Sequence, residues 1–499
     1  MTQSDGPDLI FSSSADEATR PLGAAETCDE AHSTHRPTSI AGLANPRLSD
    51  VFGLTIRQDD VDFAIPHLRE DLRFSLDPFL LWKSNNPDYI ELHAALLDFI
   101  EQVRFNSIEG NDIRAQILLA EVAEPVELGL GYAQGSKKGS ALGPALRGAI
   151  IAAFRDVPQL AQTSLNHMEI LALLVPKIAE DRISDITASV AKKWLAHFSE
   201  ERAREFEVPV RRFRMIGWDT ENKDWRPFEA HLPYNPLDDS AVLLAPLDLL
   251  RHLPWINYEN YYRTTYSPLI LPPSRQKKAV PKEAVLAYNR TNYELIQGYV
   301  DTREQQSAEC SPDPLFTPLQ VDTLKRKLSA LRGLSTGRKD GADKKFEDLA
   351  FDLLSSLLYP ELDLADSRIR TISGAHIRDV IFHNDRKTPF MGDIRDQYGA
   401  RQIVFELKNV ASLETEHVNQ LYRYLDDSDI GHFGILVART PPPRNVRQNI
   451  VDLHSSKRAV VLCIDDSDLE LMFELLLAGR RPIEALRKKY IEFTRTLPK

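Results

Sequence analysis

The run Ile403-Val404-Phe405-Glu406-Leu407-Lys408 sets two opposite charges inside a β-branched, apolar segment. The segment has the composition of a buried strand. Side chains alternate along a strand, so Glu406 and Lys408 share one face, while Phe405 and Leu407 take the other, where a core would accept them. A carboxylate and an ammonium are costly to desolvate unless they pair or meet a metal. The chain can use this strand only if its neighbours meet that demand. A second such run, His376-Ile377-Arg378-Asp379-Val380-Ile381-Phe382, embeds another acid 27 residues before Glu406.

The surrounding pattern predicts an α/β core with a mixed sheet. A helix over 343–358 carries apolar residues at 346, 349, 350, 353, 354 and 357, close to one face. Strands are expected at 367–373, 377–383, 402–408, 432–439 and 459–464, and helices at 414–426, 443–454 and 466–478. A last helix at 483–497 has an apolar stripe (Ile483, Leu486, Tyr490, Phe493, Leu497) that serves either a homodimer or its own domain.

In this order the residues resemble the PD-(D/E)xK nuclease superfamily, over the last third of the chain. That family's core is a helix with an acid, a strand with an Asp, a strand with Glu-x-Lys, and a helix that often carries Gln. The matching positions are Glu347 in Lys345-Phe346-Glu347-Asp348-Leu349, then Asp379, then Glu406 and Lys408, then Gln420 in Val418-Asn419-Gln420-Leu421. Arg378 stands where the family often has Pro. The resemblance implies a C-terminal restriction-endonuclease-like α/β domain and a metal-dependent endonuclease. Mg²⁺ is the implied cofactor, with Mn²⁺ as substitute, held by Asp379, Glu406 and the Leu407 backbone carbonyl. Lys408 would orient or activate the attacking water, or stabilise developing charge. Glu347 would bind metal through water or orient Lys408, and Gln420 would hold the water or a phosphate oxygen. Asp343, Asp348 and Asp352 compete with Glu347 on the same helix. His376 is a further candidate for substrate contact. Asp393 and Asp396, read as lying in a Gly-containing loop, are weaker metal candidates.

The substrate implied is nucleic acid, DNA ahead of RNA. A role in bacterial anti-phage defence or restriction follows by analogy with large sensing regions fused to such nucleases. The alternatives are an RNA nuclease, or a non-catalytic nucleic-acid-binding or assembly module that retains the fold.

The remaining residues define organisation better than chemistry. A 499-residue chain exceeds one ordinary core, so a multidomain α/β protein is expected. Residues 1–45 read as a disordered tail, 46–300 as a mostly helical, mixed recognition or regulatory region, 301–340 as a linker with a short basic helix, and 341–499 as the nuclease domain. Within 46–300, helices are expected at 89–103, 145–154, 168–178 and 186–200, and strands at 210–218 and 241–245. The segments 257–262 and 267–273 read as surface or interface. Ser184 or Asp185 is expected to cap a helix. Arg211, Arg212 and Arg214 read as a basic, solvated strand face. In the glycine-rich 129–140 stretch, Lys137 and Lys138 are candidate phosphate contacts, although no Gly-Lys-Ser/Thr closes a Walker loop.

Three scattered cysteines argue against a disulfide framework. No apolar run approaches the ~20 residues of a membrane helix, and the N-terminal residues lack a secretory pattern. The cytoplasm is therefore expected, with no membrane partner. The net charge of −12 disfavours non-specific coating of nucleic acid. Residues 335–499 hold 25 Lys+Arg and 26 Asp+Glu, so this segment is nearly neutral and can still present one basic face. Whatever protein partner or trigger the chain has is expected to meet residues 46–300.

Overall fold

The computed structural model describes residues 40, 42–131, 141–276, 280–370, 377–426 and 429–498, with side chains for all of these except 364–370 and 377–379. The fold is mixed α/β. In the N-terminal region, helix α1 (Pro87–Ile108) starts where Asn86 accepts a hydrogen bond from the Asp88 amide and Pro87 occupies the first turn. It buries Leu92, Leu96, Phe99 and Val103, a spacing of four, three and four that keeps one face inward. Helix α2 (Glu180–Glu205) lies against a hairpin of β1 (Val210–Asp219) and β2 (Asp224–Asn235). The hairpin is registered from Val210 opposite Pro233 to Asp219 opposite Asp224. Its turn is held by Asp219, which accepts from the Asn222 amide at 2.8 Å.

The expected helix at 168–178 is only a 3₁₀ segment, Met168–Leu173. Pro176 lacks an amide donor, and Lys177 is left-handed (φ 65°), so no α-helix continues there. Every residue from 168 to 175 is buried, which erased the one-sided pattern that a surface helix shows. Ser184 and Asp185 are not caps: α2 begins at Glu180, and both lie inside it. The expected 241–245 strand is two short pieces, Ser240–Ala241 and Ala245–Pro246. Tyr261, expected at a surface, is buried, and its hydroxyl donates to Asn289 at 2.5 Å.

The C-terminal region follows the sequence pattern closely. Helix α3 (Val321–Arg332) lies within the expected 301–340 linker, yet Leu324, Leu328 and Leu331 bury it in the C-terminal core. It packs on α4 (Ala342–Leu357), whose inward residues are Phe346, Ala350, Leu353, Leu354 and Leu357. Strands β3 (Asp363–Arg370) and β4 (Ile377–His383) precede helix α5 (Pro389–Tyr398). Asp393 and Asp396 lie on this helix and not in a loop: Thr388 caps it, and Gly399 ends it in the left-handed region. Then come β5 (Gln402–Leu407), α6 (Thr415–Leu425), β6 (Phe433–Val437), α7 (Arg444–Lys457), β7 (Val460–Ile464), α8 (Asp466–Leu477) and α9 (Ile483–Thr496).

These strands form one sheet in the order β7-β6-β5-β4-β3. The β7–β6 and β6–β5 pairs are parallel, and the β5–β4 and β4–β3 pairs are antiparallel. Both faces are covered. Phe382, Ile403, Phe405 and Leu462 belong to the core that includes α3, α4 and α8. Ile381, Val404, Leu436 and Val461 belong to the core that includes α6 and extends into the N-terminal region. The α9 stripe turns onto its own domain: Ile483 and Leu486 are buried, and the Tyr490 hydroxyl meets that of Tyr398 at 3.0 Å.

The tail boundary also differs from the expectation. Ile40, Leu43 and Ala44 are buried. Ala44 exchanges two hydrogen bonds with the Gln402 side chain, at 2.9 and 2.7 Å. Arg47 bridges Asp363 (2.8 Å) and Asp385 (2.9 Å) with its side chain almost fully buried. Residues 42–50 are thus fastened to the sheet end where β3 and β5 begin and β4 finishes. The rest of the expected tail lies outside the described residues. Among the described residues no helix is long and apolar enough to cross a membrane.

The junction between α6 and β6 generates a test. Gly431 has φ +103°, and a Cβ there would run into the backbone of Gly399 and Ala400. Gly431→Ala should destabilise the fold by about 2–4 kcal/mol in chemical denaturation, combining overpacking with left-handed strain. Gly399→Ala, left-handed but facing open space, should lose only about 1 kcal/mol.

Candidate active site

Four of the expected site residues converge. Glu406 is the next-to-last residue of β5, on the face shared with Val404. Its register partner on β6 is Leu436, so it sits deep in the sheet and is 1% exposed. Lys408 follows the strand, and its amide donates to the Val437 carbonyl at 2.8 Å. The Lys408 ammonium donates to Glu406 Oε1 at 2.6 Å. Helix α6 lies across this face, and Gln420 Nε2 donates to the same oxygen at 2.6 Å. Gly434 on β6 allows the close approach of α6: a Cβ there would stand 3.1 Å from Leu421 and Leu425. Glu347, half-buried on α4, is near enough to act on Glu406 electrostatically.

The Glu406 carboxyl is pushed up from the ordinary carboxylate range. Burial is the main cause, opposed by the Lys408 charge and by hydrogen bonds from Lys408 and Gln420, and reinforced by Glu347. Oε1 takes both donors. Oε2 is buried and has no hydrogen-bond partner among the described residues. An orphaned carboxylate oxygen in a dry position is what a hard cation would satisfy, so the site fits a divalent ion with oxygen preference.

The side chain of Asp379 lies outside the described residues, but its strand position is known. The β4–β5 ladder pairs Gln402 with His383, Ile403 with Phe382, Val404 with Ile381 and Phe405 with Val380. One further step in this register sets residue 379 opposite Glu406. Among the described residues no group of three or more His, Cys, Asp or Glu could hold a metal. Leu407, whose carbonyl was a further expected ligand, is the last residue of β5. Lys137, Lys138 and His376 lie outside the described residues. Asp396 pairs with Arg386, and Asp352 with Lys327 at 2.7 Å.

The basic strand face is internally paired: Arg211 meets Asp239 and Arg212 meets Glu229, each at 2.5 Å, all exposed. Arg211 also lies over the Tyr234 ring. Ser184 accepts from the Leu76 amide, and Asp185 pairs with Arg182 at 3.0 Å. Both border a cavity of about 420 Å³ with Glu124 and Leu253.

One group escaped the sequence reading. Glu169 is fully buried, and neither carboxylate oxygen bonds another described residue. Burial, with Asp77 nearby, pushes its carboxyl up to about 8. Asp77 caps a short helix, accepts from the Phe79 and Trp255 amides, and is itself pushed up to about 6 by burial. No motif marks Glu169, which stands in an otherwise apolar run, Met168–Leu173. The only available signal was that lone acid among residues with no polar face.

A family model described as a domain of unknown function, DUF8370, matches residues 53–257. The matched segment contains Asp77, Asp185 and Glu169 but none of the Glu406 cluster. A comparison with curated proteins finds no match to the chain.

The buried carboxyls set the sign of a pH effect. Glu169 holds its proton more tightly folded than unfolded, where it titrates near 4.5. Its contribution to stability is therefore full below that value and declines as pH rises toward about 8. The melting temperature should fall between pH 5 and pH 8, and Glu169→Gln should flatten that fall. An unchanged slope in scanning calorimetry would refute the assignment.

Proposed function

We propose that the chain is a metal-dependent endonuclease whose C-terminal domain has the restriction-endonuclease-like fold. The observation that carries this reading is the Glu406 cluster. Lys408, two residues on and just past the strand end, and Gln420 on α6 both donate to the buried Glu406 carboxylate, and Glu347 on α4 acts on it electrostatically. The mixed sheet, with helices on both faces, supports the same reading.

Asp379 and Glu406 would hold Mg²⁺, or Mn²⁺ in its place, with the Leu407 carbonyl as a further oxygen. When bound, such an ion polarises phosphoryl oxygens and lowers the pKa of water at the site. Glu406 would use Oε2, because Lys408 and Gln420 already occupy Oε1. Gln420 holds Oε1 from α6 and so helps fix the Glu406 side chain. Lys408 has three protons and directs one at Glu406, which leaves two for the attacking water or a phosphate oxygen. Its side chain is about one-fifth exposed, so it reaches solvent while Glu406 does not. Glu347, which acts electrostatically on Glu406, would orient Lys408 or act on the ion through water. A module without catalysis has no need to hold these charges together in a dry sheet, which favours the enzyme over a binding module.

The substrate is nucleic acid, with DNA the first choice, and the N-terminal region supplies recognition of a target, partner or trigger. Purified full-length protein should nick or linearise plasmid DNA with Mg²⁺ or Mn²⁺. Glu406→Gln, Asp379→Ala and Lys408→Ala should each reduce the rate by roughly 10²–10⁴-fold while leaving the melting curve cooperative. Cleavage of RNA alone would move the substrate and keep the chemistry. Cleavage of neither polymer, or full activity in Glu406→Gln, would sink the proposal.

A further inference from the structure

The loop at 333–341 is tied to the end of the candidate catalytic strand. Asn409 directly follows Lys408 and is buried. Its Nδ2 donates to the carbonyls of Ser335 (3.0 Å) and Gly337 (2.9 Å), and its own carbonyl accepts from the Gly337 amide at 2.7 Å. Gly337 is left-handed (φ +89°), which lets its amide and carbonyl both serve Asn409. Arg439, just past β6, adds a second anchor. It donates to the Leu334 carbonyl (2.8 Å) and to Asn409 Oδ1 (3.2 Å), and Asp466 at the start of α8 holds its Nε at 2.9 Å. The loop is therefore fixed to residues that follow all three parallel strands, at the sheet end where Lys408 stands.

This anchored loop carries two exposed cations. The Arg338 side chain is 93% exposed and makes one long ion pair, 3.8 Å from Asp343, which leaves most of its guanidinium open to solvent. Lys339 is exposed. Asp340 is the loop's one acid. Under the nuclease reading the adjacent site gathers the acids Glu347, Glu406 and Asp379, so a polyanionic backbone entering it would gain from cations at the rim. Arginine matches phosphate with a planar fork, and lysine adds a point charge.

We propose that the 333–341 loop is a nucleic-acid backbone clamp, in which Arg338 and Lys339 take phosphates flanking the scissile bond and Asn409 is the positioning residue. The clamp rests on the nuclease reading of the same site. The test is steady-state cleavage of linear duplex DNA by the full chain in Mg²⁺ across a salt series. R338Q/K339Q should raise KM at least tenfold with kcat within about twofold, and lower the slope of log KM against log salt by about two. N409A should raise KM as well, and add little on top of R338Q/K339Q, because both act through one loop. R338E alone should raise KM further than R338Q, with the melting temperature of each variant checking the fold. An unchanged KM and salt slope in R338Q/K339Q, beside an active wild type, overturns the clamp and leaves the nuclease standing. A wild type that cuts no nucleic acid overturns both.

Discussion

Everything at the candidate site follows from burying one carboxylate in a sheet covered on both faces. Glu406 shares its face with Val404 and Leu436, so it has no route to bulk water along the strand. An unpaired ion there would cost several kcal/mol or lose its charge. The fold answers with Lys408 at the strand end and Gln420 on α6, both on one oxygen. For Gln420 to reach, α6 must lie close on β6, and Gly434 opens that space. The second oxygen has no described partner. In the proposed reading, a bound ion would supply the other half.

The two sheet ends divide the labour. At the end where β5 begins, residues 42–50 fasten to the sheet through Ala44, Arg47 and Asp50, the last through its carbonyl and the Arg401 guanidinium. Arg47 is buried against two carboxylates, and loss of one partner of such a set typically costs about 3–5 kcal/mol. At the end where β5 finishes, the surface is built from Lys408, Asn409, Arg439 and the 333–341 loop. The N-terminal segment thus holds the sheet at the end opposite Lys408 and the 333–341 loop.

The C-terminal fold was legible because its strands are β-branched runs bounded by polar helices. The expected strand at 377–383 and the observed β4 share both bounds, and the other four strands were found within a few residues. The contact of Lys408 with Glu406 was legible from alternation along a strand, and that of Gln420 from the helix expected after it. Helix α5 was not, since Gly392 and mixed polarity hide its stripe of Phe390, Met391 and Ile394. The α3 helix was read, but not its membership of the C-terminal core, which depends on packing against α4 and α8. In the N-terminal region, wholly buried segments such as 168–175 carry no period, so neither their geometry nor the role of Glu169 could be read.

The central claim is that Asp379 and Glu406 share a divalent ion. Crystals of the full chain grown with Mn²⁺ and measured for anomalous scattering would test it directly. The account expects one peak about 2.0–2.3 Å from Glu406 Oε2 and from the Asp379 carboxylate, with Lys408 and Gln420 still on Oε1. A peak elsewhere, or no peak with Glu406 Oε2 satisfied by a protein group, would contradict it.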